Sequence, residues 1–135
     1  MAVASDRGLL VPVVKNAQDL PLPQLASALS AIIAQGRAGT LAPAQLTGGT
    51  FSITNVGVFG VDAGTPILPP GQAGILALGQ VKRRPWEYQD EVALRHTTTL
   101  ALSFDHRVVD GKEASEFLAG VGSVFEAPGL MNIFI

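Results

Sequence analysis

The alternation of hydrophobic and polar side chains divides the chain into strands and helices. Residues 50–54 alternate and predict a strand, while residues 73–81 are nearly all apolar and predict a strand buried on both faces. Residues 97–105 predict the clearest strand, and His106 would share the face of its apolar side chains if the strand continued that far. The mixture of strands and helices predicts an α/β (α+β) fold with a mixed sheet.

Two stretches have apolar residues at helical spacing. The first begins after Asp19 or Leu20, either of which we expect to cap the helix, and ends at Gly36 and Gly39. Its predicted buried stripe is Leu22, Leu25, Leu29, Ile32 and Ile33.

The second helix is predicted to begin after Asp110. Glu113 lies three residues further on, which is the spacing of a capping box. The predicted buried stripe of this helix is Ala114, Phe117, Leu118, Val121 and Phe125.

The remaining segments carry weaker signals. Residues 9–14 predict a strand, with an edge or a bulge at Pro12. Residues 82–85 are expected to end the strand before them, and residues 87–95 to form one arm of a hairpin. The long Gly- and Pro-rich loop over residues 57–71 is of a kind that usually serves function or faces a partner.

Composition narrows the class of protein. The 135 residues suffice for one domain, and 47% hydrophobic against 15% charged residues suggests a surface partly covered by partner subunits. The net charge of −2 argues against nucleic acid as partner. We expect no membrane segment, a cytoplasmic location and, with no cysteine and two histidines, no metal site. The strand-like start at Met1 suggests a fragment.

His106 is the first candidate for chemistry. It follows a strand and precedes a helix, so a rigid backbone would present its imidazole as a base, a role typically worth ~10²–10⁴ in rate. A buried structural histidine is an equally open interpretation. Asp110 can be a helix cap, and Arg107 can pair with Asp105 or with Asp110.

Thr54 and Asn55 are the second candidate. A hydroxyl at a strand end that runs into a glycine loop can donate a hydrogen bond to an oxyanion. The plainer alternative is a β-branched strand residue followed by a turn former.

Taken together, these segments resemble a known family. Residues 105–111, Asp-His-Arg-Val-Val-Asp-Gly, resemble the signature of dihydrolipoamide acyltransferases, the E2 cores of 2-oxoacid dehydrogenase complexes. Residues 48–57, 66–81 and 8–16 agree with further motifs of that family in the same order. The resemblance covers residues 1–135 as the C-terminal part of the catalytic domain, without the lipoyl and peripheral-subunit-binding domains.

The resemblance implies a fold similar to chloramphenicol acetyltransferase, with a mixed sheet flanked by helices, truncated at the N-terminus. It implies a homotrimer or a larger cubic core, with the active site between subunits and the apolar C-terminus joining trimers. The other enzyme components of the complex (E1 and E3) would bind through the missing domains. A bacterial, cytoplasmic protein is expected.

The same resemblance assigns roles to residues. His106 would deprotonate the thiol of coenzyme A or dihydrolipoamide, and Asp110 would hold its loop, through an arginine. Thr54, where many relatives have serine, would stabilise the oxyanion from a neighbouring subunit. The coenzyme A path would be lined by Asn55, Gly79 and Val81. The lipoyl group would arrive on a domain absent from this chain.

The acyl group is predicted from residues 60–64, which resemble branched-chain members of the family. Acetyl transfer in a pyruvate dehydrogenase complex is the alternative. Two other readings stay open: a catalytically incomplete assembly core, and a relative of chloramphenicol acetyltransferase or condensation domains. The last is weaker, because those proteins carry a second histidine at the position of Asp105.

Overall fold

A computed structural model describes residues 1–5 and 8–129 of the chain. The strands are β1 Val3–Ser5, β2 Gly8–Leu10, β3 Phe51–Asn55, β4 Gly74–Leu78, β5 Lys82–Tyr88, β6 Glu91–Thr97 and β7 Leu100–Phe104. The helices are α1 Leu22–Ala38 and α2 Gly111–Glu126, with short 3₁₀ turns at Ala17–Asp19, Pro43–Leu46 and Gly57–Phe59.

A three-stranded mixed sheet in the order β3-β4-β7 holds the fold together. β3 runs parallel to β4, and β7 returns antiparallel on the other side of β4. Its central strand supplies three of the six buried hydrophobic residues in the described part of the chain, Ile75, Leu76 and Ala77, each at most 7% exposed. The predicted α/β fold with a mixed sheet, and the two-faced burial of its apolar strand, are therefore confirmed.

The two faces of this sheet have different neighbours. The register aligns Phe51 with Gly74 and Phe104, and paired residues share one face. Phe51 meets Phe117 of α2 edge to face, with ring centroids 5.7 Å apart, so α2 covers that face. Thr54, in register with Ala77, belongs to the opposite face.

β1 and α1 lie beside the β3 edge. The Ala2 amide donates to the Ile53 carbonyl at 2.9 Å, and a Cβ added to Gly36 of α1 would stand 3.2 Å from Val3. Gly36 is thus a close-packing position inside α1. Only Gly39, with φ 68°, ends the helix.

Three other sequence predictions about the ends of elements are wrong. Pro21 is the N-cap of α1, rather than Asp19 or Leu20, because its extended backbone leads straight into the helix. The strand predicted over residues 9–14 ends at Leu10, and Pro12 lies buried beyond it. Residues 82–85 were predicted to end a strand, but they begin β5.

The hairpin of β5 and β6 tolerates Pro85 because each strand has one partner, so a missing N–H can face away from the ladder. Its turn residues, Gln89 and Asp90, both have positive φ, at 56° and 62°. That is the backbone of a type I′ turn, made here without the Asn-Gly pair that usually signals it.

The stripe predicted for α2 is buried only in part. Ala114 is 5% exposed, while Phe117 and Phe125 are 48% and 52% exposed. The apolar segment predicted to join trimers, residues 130–135, lies outside the described part of the chain.

The ring contact between α2 and the sheet generates a prediction. Phe117→Ala should lower the free energy of unfolding by about 1–2 kcal/mol, since a half-exposed ring has less than the ~3–5 kcal/mol of a core phenylalanine to lose. Urea denaturation followed by circular dichroism measures it. Phe125→Ala, on the same helix and similarly exposed, is the control and should cost less; an equal or larger cost would contradict the assignment.

Candidate active site

One half of the candidate site lies at the carboxyl ends of the parallel strands β3 and β4. Thr54 and Asn55 close β3, and Asn55 is in register with Leu78, the last residue of β4. Gly79 and Val81 follow within three residues. The carboxyl edge of parallel strands is where α/β proteins usually bind ligands, and the structure brings four of the predicted site residues together there.

Gly79 is fixed by packing. Its amide donates to the Thr99 carbonyl and its carbonyl accepts from the Thr98 hydroxyl, each at 2.9 Å. A Cβ at this position would collide with the backbone carbonyl of Asp62. The glycine therefore lets the loop after β3 approach the end of β4, which is a structural reason for this residue whether or not coenzyme A passes it.

The other half of the candidate site is the turn between β7 and α2. β7 ends at Phe104, so the expectation that His106 continues the strand's core-facing side is wrong. His106 lies in the turn with its side chain 71% exposed, and its ring stands 5.5 Å from the Phe104 ring. An exposed imidazole excludes the buried structural role in the isolated chain.

Asp105 and Arg107 brace this turn. The Arg107 side chain donates to both carboxylate oxygens of Asp105, at 2.8 Å from Nε to Oδ1 and 2.6 Å from Nη2 to Oδ2, and its backbone amide donates at 3.0 Å. The side-chain hydrogen bonds, followed by the backbone one, lower the pKa of Asp105 to about 2. Of the two partners considered for Arg107, Asp105 is the one it has.

Asp110 departs from two predictions. It is the N-cap of α2, yet its side chain makes no capping hydrogen bond, so the capping box with Glu113 does not form. Its Oδ1 lies 3.6 Å from Nδ1 of His106, and Arg107 is occupied by Asp105. In the described chain Asp110 therefore lies beside His106 and away from Arg107, and its role in holding the loop stays a prediction.

Thr54 and His106 cannot meet within one chain. Thr54 is in register with Ala77 and Ala101, whereas His106 follows Phe104, three residues further along β7. Strand spacing of about 4.8 Å and a rise of about 3.3 Å per residue place the α-carbons of Thr54 and Phe104 about 14 Å apart. A base and an oxyanion donor must both lie within about 3 Å of the reacting group, so each chain presents two separate half-sites.

Sequence reasoning missed a cavity beside Thr54. It has a volume of about 370 Å³, and its walls include Val56, just before the long loop, and Val61 and Ile67 within that loop. These residues have no period that marks a site; the only signal is that a Gly- and Pro-rich loop carries large apolar side chains. A larger cavity of about 660 Å³ lies between α1 and the stretch from Val11 to Gln18.

Residues 1–5 and 8–129 show neither a metal-binding cluster nor a membrane-spanning helix. They contain no cluster of three or more His, Asp or Glu side chains that could hold a metal ion. No helix among them is long and apolar enough to cross a membrane.

Comparison with known proteins connects these half-sites to a family. The model of the 2-oxoacid dehydrogenases acyltransferase (catalytic domain) matches residues 1–133. The chain therefore belongs to this acyltransferase catalytic-domain family. Curated relatives include succinyl- and acetyl-transferring components. One, the dihydrolipoyllysine-residue succinyltransferase component of the 2-oxoglutarate dehydrogenase complex of Azotobacter vinelandii, is 41% identical over 128 residues.

Solved structures agree. The dihydrolipoamide acetyltransferase of Azotobacter vinelandii superposes with a TM-score of 0.87 at 30% identity, over 99% of this chain and 54% of that one. The cubic core of a pyruvate dehydrogenase multienzyme complex gives the same values. The chain spans about half of these solved chains, and, at 95% coverage of its own length, 32% of the succinyltransferase component.

The turn brace generates a prediction about protonation. Arg107→Gln should raise the pKa of Asp105 from about 2 toward its ordinary value of 3.8, because the hydrogen bonds that favour the carboxylate are lost. Since the folded pKa is the lower one, the brace contributes stability above about pH 3.8 and loses it as the pH falls through about 2. Carboxyl carbon NMR measures the titration.

Arg83→Gln, which removes an exposed arginine of β5, is the matched control and should leave Asp105 unchanged. A titration of Asp105 near 3.8 in the unaltered protein would refute the brace.

Proposed function

We propose that this chain carries the C-terminal part of an acyltransferase that moves an acyl group between dihydrolipoamide and coenzyme A. The observation that carries the proposal is the pair of half-sites, an imidazole with its carboxylate partner and a hydroxyl at a strand edge, in a chain of this family. Coenzyme A and the lipoyl group are the substrates, the latter on a domain outside these residues.

The spacing of the residues supports their roles. In the Azotobacter vinelandii acetyltransferase, a serine, a histidine and an asparagine have been investigated for their role in the catalytic mechanism. By their numbers in that protein, the intervals between them equal those between Thr54, His106 and Asp110. This chain has threonine for serine, which keeps the hydroxyl, and aspartate for asparagine, which adds a charge.

The role proposed for His106 uses the carboxylate beside it. Nδ1 lies 3.6 Å from Oδ1 of Asp110, and we assign the proton to Nδ1, so that Nε2 is the acceptor. Nε2 then takes the thiol proton, and the thiolate attacks the thioester carbonyl carbon. The new C–S bond forms as the oxyanion develops, and the old C–S bond breaks as the imidazolium returns its proton to the leaving thiolate.

The oxyanion needs a hydrogen-bond donor, and Thr54 of the same chain lies too far from His106 to supply it. Thr54 of a neighbouring copy is proposed to supply it, a contribution typically worth ~10²–10³ in turnover. The α-carbons of Thr54 and Phe104, two residues before His106, lie about 14 Å apart in one chain, and His106 is exposed, which supports a site between copies. The solved cubic core among the structural neighbours supports a trimer that assembles further. Partnership with the other enzyme components stays a prediction, as does the cytoplasmic location.

The coenzyme A path is proposed to run along the same edge. Asn55 and Val81 are exposed there, and Val81 is 65% exposed. Gly79 is buried with its backbone groups bonded within the chain, so its part is to shape the edge rather than to donate to the cofactor.

The acyl group is the finer question. The sequence predicts a branched-chain group with acetyl as the alternative, whereas the matched relatives include succinyl and acetyl enzymes. The branched-chain choice has no support from these relatives and stays a prediction.

The shared site yields a mixing experiment. Thr54→Ala and His106→Ala proteins should each lose at least ~10²-fold in acyl transfer between acyl-coenzyme A and dihydrolipoamide, because one half-site is gone. When the two are mixed under conditions that exchange subunits, on the order of a quarter of the interfaces in a cyclic assembly regain both residues. Transfer activity should return to a corresponding fraction.

Two controls sharpen this test. His96→Ala removes the second histidine, on β6, and should keep full activity. Mixing Thr54→Ala with the double variant Thr54→Ala/His106→Ala should restore nothing. If the exchanged mixture stays inactive, the shared site is wrong; if assemblies form but even the unaltered full-length protein has no transfer, the assembly-core alternative is correct.

A further inference from the structure

The cavity beside Thr54 lies on the face of the sheet opposite α2. We call it the Thr54 groove. Its floor is Ile75 and Ala77 of β4, which are 7% and 3% exposed, and its walls include Val56, Val61 and Ile67. Its volume of about 370 Å³ is within the range of small-molecule sites.

The described lining of the groove is uncharged. None of the described residues that line it carries a charged side chain. In the long loop that forms its walls, residues 58–71, the single charged residue is Asp62. Asp62 pairs with Lys82 at 3.4 Å and with Arg84, so the nearby cations are matched to a carboxylate of the chain itself.

The position of Thr54 says what part of a substrate enters the groove. If its hydroxyl donates to the thioester oxyanion, the carbonyl carbon lies within hydrogen-bonding reach of a residue that lines the groove. The acyl chain is bonded to that carbon, and the apolar floor beside Thr54 is open to it.

We propose that the Thr54 groove is the acyl pocket and that it selects an uncharged, apolar acyl group over a succinyl group. The inference rests on the proposed function. A succinyl carboxylate placed there would lose water without gaining a cation, whereas an aliphatic chain would gain contacts with Val61, Ile75 and Ala77. The volume admits acetyl and branched chains alike, so charge is the property selected. This separates the chain from its succinyl-transferring relatives.

Acyl selectivity tests the proposal. The full-length protein is assayed with dihydrolipoamide and acetyl-, isobutyryl- or succinyl-coenzyme A, and kcat/KM is measured for each. The better of the two uncharged substrates should exceed succinyl-coenzyme A by at least ~10-fold. Equal or faster succinyl transfer overturns the acyl-pocket proposal and keeps the proposed function. No transfer from any of the three overturns the proposed function.

A matched pair of variants locates the pocket. Val61→Arg places a cation in the groove wall and should shift the succinyl-to-isobutyryl ratio of kcat/KM by at least ~10-fold toward succinyl. Val58→Arg, on the same loop but outside the groove and 70% exposed, should leave that ratio unchanged. A ratio is independent of the folded fraction, and the unaltered protein decides the selectivity by itself. The same shift in both variants, or in neither, refutes the location.

Discussion

The antiparallel return of β7 along β4 is the constraint on which the rest of the structure depends. Since β3 and β4 run the same way, their carboxyl ends share an edge, and since β7 runs back, its carboxyl end lies at the opposite edge. Thr54, the proposed oxyanion donor, lies at the carboxyl end of β3. His106, the proposed base, follows β7 at the opposite edge. Register places the α-carbons of Thr54 and Phe104 about 14 Å apart, and His106 follows two residues beyond Phe104.

Under the proposed function, this separation makes assembly part of the chemistry. A chain that presents a hydroxyl at one edge and an imidazole at the other is complete only when a second copy brings its opposite edge into contact. The exposure of both His106 and Asp110, at 71% and 80%, fits that requirement. The exposed phenylalanine rings of α2 and of the long loop supply apolar surface for further contacts with a neighbouring copy.

Hydrogen bonds in the turn after β7 hold the half-site that contains His106. The Asp105–Arg107 pair closes the turn after β7, which leaves Asp110 to face His106 rather than the helix it begins. An N-cap that gives up its capping hydrogen bond loses roughly 1 kcal/mol of helix stability. Under the proposed function, the helix gives up this hydrogen bond in favour of the site.

Periodicity was sufficient for the sheet and much less so for the site. The apolar run that contains β4 follows from pattern because burial sets it, whereas of the stripe predicted for α1 only Ile32 is buried. The end of β7 was predicted to within one residue, at Asp105 rather than Phe104, but the hydrogen bonds that Asp105 makes in the turn have no signal in the apolar pattern. Residues 82–85 were predicted to end a strand, yet Pro85 lies within β5. A strand with one partner tolerates a residue that lacks an N–H donor, and a central strand does not. The walls of the Thr54 groove come largely from a loop without period, so the sequence has no pattern that marks it.

The central claim is that a neighbouring chain completes the site, and cross-linking tests it directly. The chain has no cysteine, so Asn55→Cys and Val108→Cys, both at exposed positions, each introduce a single thiol near one half-site. The two variants are mixed under exchange and treated with a short bismaleimide. We predict a cross-linked dimer in the mixture and much less in either variant alone. Assembled particles that give no excess of dimer in the mixture would contradict the account.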